Sequence, residues 1–278
     1  MSGNHKFSRM PSRKVLAVTA AGACVAALAA TLSVHATTAS AAEISLPPTH
    51  AGFDYQIGGA YTPPSGVEVV TRDHTASPVD GLYNICYVNA FQAQPGAESE
   101  WGSNLLLHDG DGEVVYDDAW GEAMLDITTE AKRESIAAKV GTWIDDCAAN
   151  GFQAVEPDNY DTFTRADGLI DAADAEAFIQ LLADRAHSAD LAIAQKNTAE
   201  LAGDREANGL DFAVVEECGR YDECGDFTDA FGDDVIVVEY SASGLKKACS
   251  GWGDELSIVR RDEDVTTPGS GSYVRKTC

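Results

Sequence analysis

Positive charge is scarce in this 278-residue chain: 19 Lys and Arg stand against 45 Asp and Glu, a formal net charge of −26. An excess of that size repels nucleic acid and anionic lipid and draws in cationic ligands over long range, although from charge alone solubility or salt tolerance of a secreted protein is the favoured explanation. Histidine is scarce too. The six present are scattered, none pairs with another at ligand spacing, and no Cys-x-x-Cys occurs, so a zinc site or a metal-dependent hydrolase is not expected. Two acidic stretches resemble calcium loops and fail on position. With Gly168 as sixth residue the first ligand falls on Phe163, and DGDGEVVYDDAW (109–120) puts Val114 sixth and Trp120 twelfth. No organic cofactor motif is evident. Internal repeats, low-complexity tracts and a second domain are absent.

What is present begins with a processing signal. Lys6, Arg9, Arg13 and Lys14 precede an apolar, Ala-rich run from Val15 to Val34, and Ala39-Ser40-Ala41 supplies a small-x-small cleavage site. Residues 1–41 therefore read as a secretory signal peptide, with a mature domain over 42–278; the competing reading is a membrane anchor. No other segment is apolar for long enough to span a bilayer. The leader holds four of the 19 basic residues and no acid, so the mature part, secreted and expected as a monomer, is more acidic still. Its six cysteines, Cys86, Cys147, Cys218, Cys224, Cys249 and Cys278, suit an oxidising compartment and three disulfides. Fifteen connectivities are open; proximity favours Cys218–Cys224, and Cys249–Cys278 would pin the C-terminus, leaving Cys86–Cys147.

Short apolar runs ending in a polar residue recur along the second half: AVEPDN (154–159), IAQKN (193–197), AVVEEC (213–218), VIVVEY (235–240) and SIVRRD (257–262). Each has the length and continuous apolarity of a strand covered on both faces. Eight such strands are expected, over 53–58, 67–72, 82–91, 152–156, 191–195, 212–216, 235–239 and 256–260. Helical periodicity separates several of them. Ile136, Val140, Trp143, Ile144 and Cys147 form one stripe over 129–149, and Asp174 is placed as N-cap of a helix carrying Phe178, Leu181, Leu182 and Ala186. The fold class is α/β, a single (β/α)8 TIM-type barrel. DGDGE (109–113) reads as a tight turn, and the helix-poor stretch 92–128 as an extra rim hairpin. His187 is expected to be a buried structural residue.

In such a barrel the strand C-termini converge on the rim that carries active sites. The densest cluster is Glu156, Asp158, Asn159 and Asp161 after one strand; Glu216 and Glu217 end another, beside the expected Cys218–Cys224 loop. One carboxylate from each, facing across the mouth, is what glycoside hydrolysis requires. Lys196, a cation in an acidic mouth, is expected either to pair with Asp158 or Glu156 and hold one ionised, or to form a structural salt bridge. Asp54, Tyr55, Gln56, Asp73, Asn89 and Asn197 line the rim for sugar hydroxyls or amines, or merely cap loops. Tyr240 and Trp120 offer stacking faces, and Glu239 is either structural or substrate-binding.

EPDN, QKN, EEC…EC and VVEY, in that order, resemble glycoside hydrolase family 114, the endo-α-1,4-polygalactosaminidase family. WGEAMLDI (120–127) is similar to the family's W-x-G-E-x-W-L-D-I, and FDYQIGG to its first strand, so the likeness runs over 53–262. It implies a (β/α)8 barrel that hydrolyses α-1,4-linked galactosamine polymers internally, polysaccharides that are cationic where deacetylated. It places the catalytic Asp on Asp158 and the catalytic Glu on the Glu216-Glu217 pair, of which Glu216, ending the apolar run, is preferred. By the logic of retention, Asp158 is then nucleophile and Glu216 acid/base. The pattern departs where Met124 replaces a Trp, where the segment before it is contracted, and where VTRD keeps Asp73 in a changed context; these put the substrate-facing wall in doubt. A non-catalytic sugar-binding barrel is the alternative.

Overall fold

The structure, a computed structural model, describes residues 44–278; the expected signal segment lies outside the described residues. The chain runs through β1 (Phe53–Gln56), β2 (Val69–Asp73) and β3 (Tyr83–Asn89), then β4 (Gln92–Ala93), β5 (Tyr116–Asp117) and β6 (Glu122–Met124). There follow α1 (Glu130–Asn150), β7 (Ala154–Asp158), α2 (Ala172–Ser188), β8 (Ala192–Lys196) and β9 (Phe212–Glu216). The last part comprises α3 (Cys218–Tyr221), α4 (Cys224–Phe231), β10 (Val235–Glu239), α5 (Ala242–Trp252), β11 (Ser257–Arg261) and β12 (Arg275–Thr277). Eight strands pair in parallel in the order β1-β2-β3-β7-β8-β9-β10-β11, and β12 adds antiparallel to β11. This is the expected TIM-type barrel, with β4, β6 and β5 forming a separate antiparallel sheet inserted after β3, the expected rim hairpin. Among the described residues no helix is long and apolar enough to cross a membrane.

Two departures from strict alternation stand out. Loops rather than helices join β1 to β2 and β2 to β3, and a 3-10 turn, Ala199–Asp204, joins the Lys196 strand to β9. The helix before β8 starts one turn element earlier than expected: Asp171 caps it, and Asp174 is the N3 partner of a reciprocal capping box. His187 lies in that helix's last turn, only partly buried, bonded to Asp211 at 2.9 Å.

Strand parity divides the core. Outward residues such as Cys86, Val88, Val155, Ile193, Val215 and Val237 meet Ile136, Ile144, Phe178 and Leu182 of the helices in one apolar layer. Inward residues, among them Phe53, Tyr55, Val69, Ile85, Ala154, Ala194, Phe212, Val214 and Val238, fill the barrel. Small Ala192 and Ala194 on β8 face bulky Phe53 and Phe212, so the interior packs as layers rather than a pore. At the mouth the inward set turns polar.

The barrel closes between β1 and β11 without a backbone ladder. Side chains span the seam: Ser257 Oγ accepts from Ala51 N at 2.9 Å, and Arg275 Nη2 donates to Phe53 O at 2.8 Å while its Nε reaches Asp54 at 3.1 Å. At the top of the seam Gly58 is so near Val265 that a Cβ would lie 2.5 Å from its carbonyl oxygen.

Three disulfides form: Cys86–Cys147 ties β3 to α1, Cys218–Cys224 closes the loop after β9, and Cys249–Cys278 ties the C-terminus to α5. Their separations are 61, 6 and 29 residues. In the loop-entropy account the longest contributes about 4 kcal/mol and the shortest about 2 kcal/mol. Replacing Cys86 and Cys147 together by Ser is thus expected to cost more, in urea denaturation, than the same change at Cys218 and Cys224. Equal losses would show that packing, not chain constraint, sets the effect.

Candidate active site

Parity decides which strand-end residues reach the mouth. On β7, Ala154, Glu156 and Asp158 share a face; on β8, Ala192, Ala194 and Lys196; on β9, Phe212, Val214 and Glu216. Since Ala154 pairs with Ala192, Lys196 stands level with Asp158, and its pairing with Val214 leaves Glu216 one step above. The Lys196 ammonium, 1% exposed, is thereby surrounded. It lies 2.9 Å from Asp158 Oδ1, 3.1 Å from Glu156 Oε1 and 3.4 Å from Glu216 Oε2, and it donates to Tyr55 Oη at 3.1 Å.

Each carboxylate has further partners. Tyr87 donates to Asp158 Oδ2 at 2.6 Å, and Tyr55 donates to Glu156 Oε1 at 2.8 Å. Asn197 Nδ2 donates to Glu216 Oε2 at 3.0 Å while its Oδ1 accepts from the Glu216 amide at 2.8 Å; Tyr240 donates to Glu216 Oε1. Burial pushes the Asp158 carboxyl up, but the Lys196 charge, with the Tyr87 and Lys196 hydrogen bonds, holds it below its ordinary value. Burial raises Glu156, and Lys196 only partly offsets this. Lys196 itself loses charge stability to burial yet is held well above its ordinary value, first by Asp158 and then by Glu216.

Above this floor opens a cavity of about 400 Å³, lined from the ends of all eight parallel strands and from the rim hairpin. Asp73, Tyr87, Asp158, Asn159, Asn197, Glu216 and Tyr240 line it. Glu156, Tyr55 and Lys196 lie fully buried beneath, and Asn89, also buried, bonds Glu122 and Asn159. Trp120, 59% exposed, stands at the hairpin side.

Other expected rim residues face elsewhere. Asp54 and Gln56 have the opposite parity to Tyr55, so Asp54 joins the seam with Tyr61 and Arg275, and Gln56 receives Arg72. Glu217 turns away to pair with Arg220 at 2.8 Å. Its φ of 58° matches the left-handed turns of Asn159 (65°) and Asn197 (53°) after the neighbouring strands. Such a turn redirects the chain directly after the inward residue, leaving Glu216 inside. Asn accepts this conformation readily; Glu does so under strain. Glu239 faces outward, accepting from Gly219 N at 2.7 Å, and a Cβ on Gly244 would meet it at 1.8 Å. Sequence reasoning passed over Tyr87, Glu122 and Arg165. Strand parity would have found Tyr87, two residues before Asn89. Glu122 lay within the WGEAMLDI segment without a role, and Arg165, which clamps Asp117 and Asp161, carries no local signal.

A barrel holding two carboxylates on nearby strand ends, joined through one buried cation beneath an open cavity, has the architecture of a glycoside hydrolase. The chain belongs to glycoside-hydrolase family GH114, whose family model matches residues 34–278. Among solved structures it is similar to Ega3 from Aspergillus fumigatus in complex with galactosamine, at 21% identity and a TM-score of 0.69, over 86% of this chain and 98% of that one. It is also similar to the glycoside hydrolase domain of PelA from Pseudomonas aeruginosa, at 14% identity and a TM-score of 0.53, over 79% of this chain and 96% of that one. At those identities the likeness carries the fold. No curated protein sequence matches the chain.

Removing the central cation leaves three carboxylates facing one another in a buried space, which typically costs about 3–5 kcal/mol. Lys196→Gln is therefore expected to lose stability of that order in urea and to raise the Asp158 carboxyl, read by carboxyl-carbon NMR. The sign follows from the native protein: Asp158, held low, contributes stability fully above the unfolded carboxylate value of about 4, and that contribution fades as pH falls through the lower folded value. In Lys196→Gln the Asp158 carboxyl no longer sits below its unfolded value, so the loss of stability on acidification should become smaller or reverse; an unchanged acid limb would mean that the pair contributes nothing. Glu217→Asn is expected to raise stability by about 1 kcal/mol through relief of the left-handed turn, since its exposed pair with Arg220 contributes little.

Proposed function

We propose that this chain is a secreted, endo-acting glycoside hydrolase that cleaves α-1,4-linked galactosamine-containing polysaccharide with retention, Asp158 serving as nucleophile and Glu216 as acid/base. The observation that carries this reading is the shared contact of both carboxylates with Lys196. Because Asp158 lies 2.9 Å and Glu216 3.4 Å from one nitrogen, their nearest oxygens are no more than 6.3 Å apart. That suits retaining carboxylates, about 5–5.5 Å apart, better than inverting ones, which leave roughly 6.5–9.5 Å for a water.

The roles follow from the partners. Lys196 and Tyr87 keep Asp158 ionised and aimed, so that it attacks the anomeric carbon as the glycosidic bond breaks. Glu216 gives its proton to the departing glycosidic oxygen, and its new charge is met by Lys196, Asn197 and Tyr240. Glu216 then takes a proton from the water that hydrolyses the glycosyl ester, restoring both groups. Trp120 offers a stacking face away from the dyad, as an enzyme that cuts within a chain needs. The acidic sequence favours a substrate bearing free amines, and the galactosamine bound by Ega3 fits that preference. The leader and three disulfides favour export.

The test is a reducing-end assay on partly deacetylated α-1,4-galactosamine polymer, with product anomers followed by NMR. Wild type is expected to release α-anomers first and a mixture of oligomers, and Asp158→Asn to lose about a thousandfold or more in rate. Binding without new reducing ends would overturn the hydrolytic reading, and initial β-anomers the retaining one.

A further inference from the structure

The rim hairpin brings to the cavity a third carboxylate that the proposed chemistry does not use. Glu122 opens β6 and lines the cavity together with Asp158 and Asn159. Its Oε2 accepts from Asn89 Nδ2 at 2.9 Å and from Asn159 Nδ2 at 3.2 Å. No Lys or Arg pairs with it among the described residues, and no hydrogen bond engages its Oε1 there.

The two amides that hold Glu122 are fixed in one orientation. Asn89 Oδ1 accepts from Asn159 Nδ2 at 3.0 Å and from Gln92 N at 3.3 Å. Asn159 Oδ1 accepts from Arg165 Nη2 at 3.3 Å. Both amide groups are thus occupied within the protein, and the free acceptor this cluster leaves toward the cavity is Glu122 Oε1. An open carboxylate oxygen with no protein donor selects a cationic donor. Position narrows the choice further, because Asn159 directly follows Asp158 in the chain and ties Glu122 to its side of the mouth. On a 2-amino sugar the amine is one carbon from the anomeric centre that Asp158 attacks.

We propose that Glu122 is the specificity residue of this site, its free oxygen binding the protonated 2-amino group of the sugar held at Asp158. This rests on the galactosamine reading above and extends it from a polymer class to one contact. N-acetylation removes the charge that Glu122 Oε1 would meet and adds bulk there, so the contact discriminates against acetylated residues at that position. Burial, reinforced by the nearby Asp158, holds Glu122 above its ordinary value, so an approaching ammonium also settles a charge that the free cavity leaves poorly compensated. Glu122 touches substrate but neither donates nor receives a proton in the reaction.

The experiment has two arms. In the first, Glu122→Gln, which keeps the shape and the acceptor for Asn89 and Asn159, is compared with wild type on fully deacetylated and fully N-acetylated α-1,4-galactosamine oligomers. The expected result is a fall in kcat/KM about tenfold to a hundredfold larger on the deacetylated oligomers, carried mainly by KM. Equal falls on both would overturn the proposal and assign Glu122 to holding the hairpin. In the second, galactosamine, galactose and N-acetylgalactosamine are titrated into Asp158→Asn and into Asp158→Asn/Glu122→Gln. Preference for galactosamine in the first protein and its loss in the second is expected. No preference in Asp158→Asn, or one that survives in the double variant, would overturn it. Should wild type cleave neither oligomer, the hydrolytic reading fails while this arm still decides the role of Glu122.

Discussion

A single buried ammonium organises this molecule. Lys196 is out of water, and an isolated charge there would be prohibitively costly, so the surrounding strands must supply compensation. They do so from three directions, Tyr55 from β1, Glu156 and Asp158 from β7, and Glu216 from β9. The arrangement constrains all of them at once. A one-residue slip of β7 that put Val155 and Pro157 in the places of Glu156 and Asp158 would turn both carboxylates to the helix layer and leave apolar side chains at the ammonium. The same interaction that fixes strand register thus fixes the spacing of two carboxylates, and stability and site geometry have a common origin.

Around that centre the fold separates support from recognition. The interior layers below Lys196 are apolar and assembled from alternating strand residues, whereas the residues that can meet a ligand come from short segments just past the strand ends and from the inserted hairpin. The left-handed turns at Asn159, Asn197 and Glu217 repeat one device on three neighbouring strands. Each ends the strand with an inward side chain and sends the following one sideways. That device is why two adjacent glutamates after β9 have unlike surroundings, one among Tyr240, Asn197 and Lys196, the other beside Arg220 at the surface.

Much of this was legible before any coordinates. Apolar runs of five or six residues, each closed by a carboxylate, amide or ammonium, gave the strands, and their order resembled one family over most of the chain. The inserted hairpin followed from a helix-poor stretch with a DGDGE turn. What sequence left open was orientation. Asp54 and Glu239 sit at strand positions as plausible as those of Tyr55 and Tyr240, yet parity turns them outward, and parity cannot be read when both faces of a strand are covered and apolar. Alternation of strand and helix was over-extended as well, because the connections after β1 and β2 carry Pro63, Pro64 and Pro78, which interrupt helical hydrogen bonding. Glu122 escaped notice because its meaning depends on Asn89 and Asn159, distant in sequence and joined to it only by the folded hairpin.

The ring of strands is not uniform in how it is held. Seven junctions are backbone ladders, but the eighth, between β1 and β11, relies on Ser257, Arg275 and their few hydrogen-bond partners. Parting two strands there breaks fewer bonds than anywhere else around the hoop, so local opening is cheapest at that point. Ile57 and Gly58 above β1 and Glu263 to Val265 above β11 flank the gap and also wall the cavity. The weakest link in the hoop is thus also part of the cavity wall, so local opening there alters one side of the cavity before it reaches the ladders elsewhere.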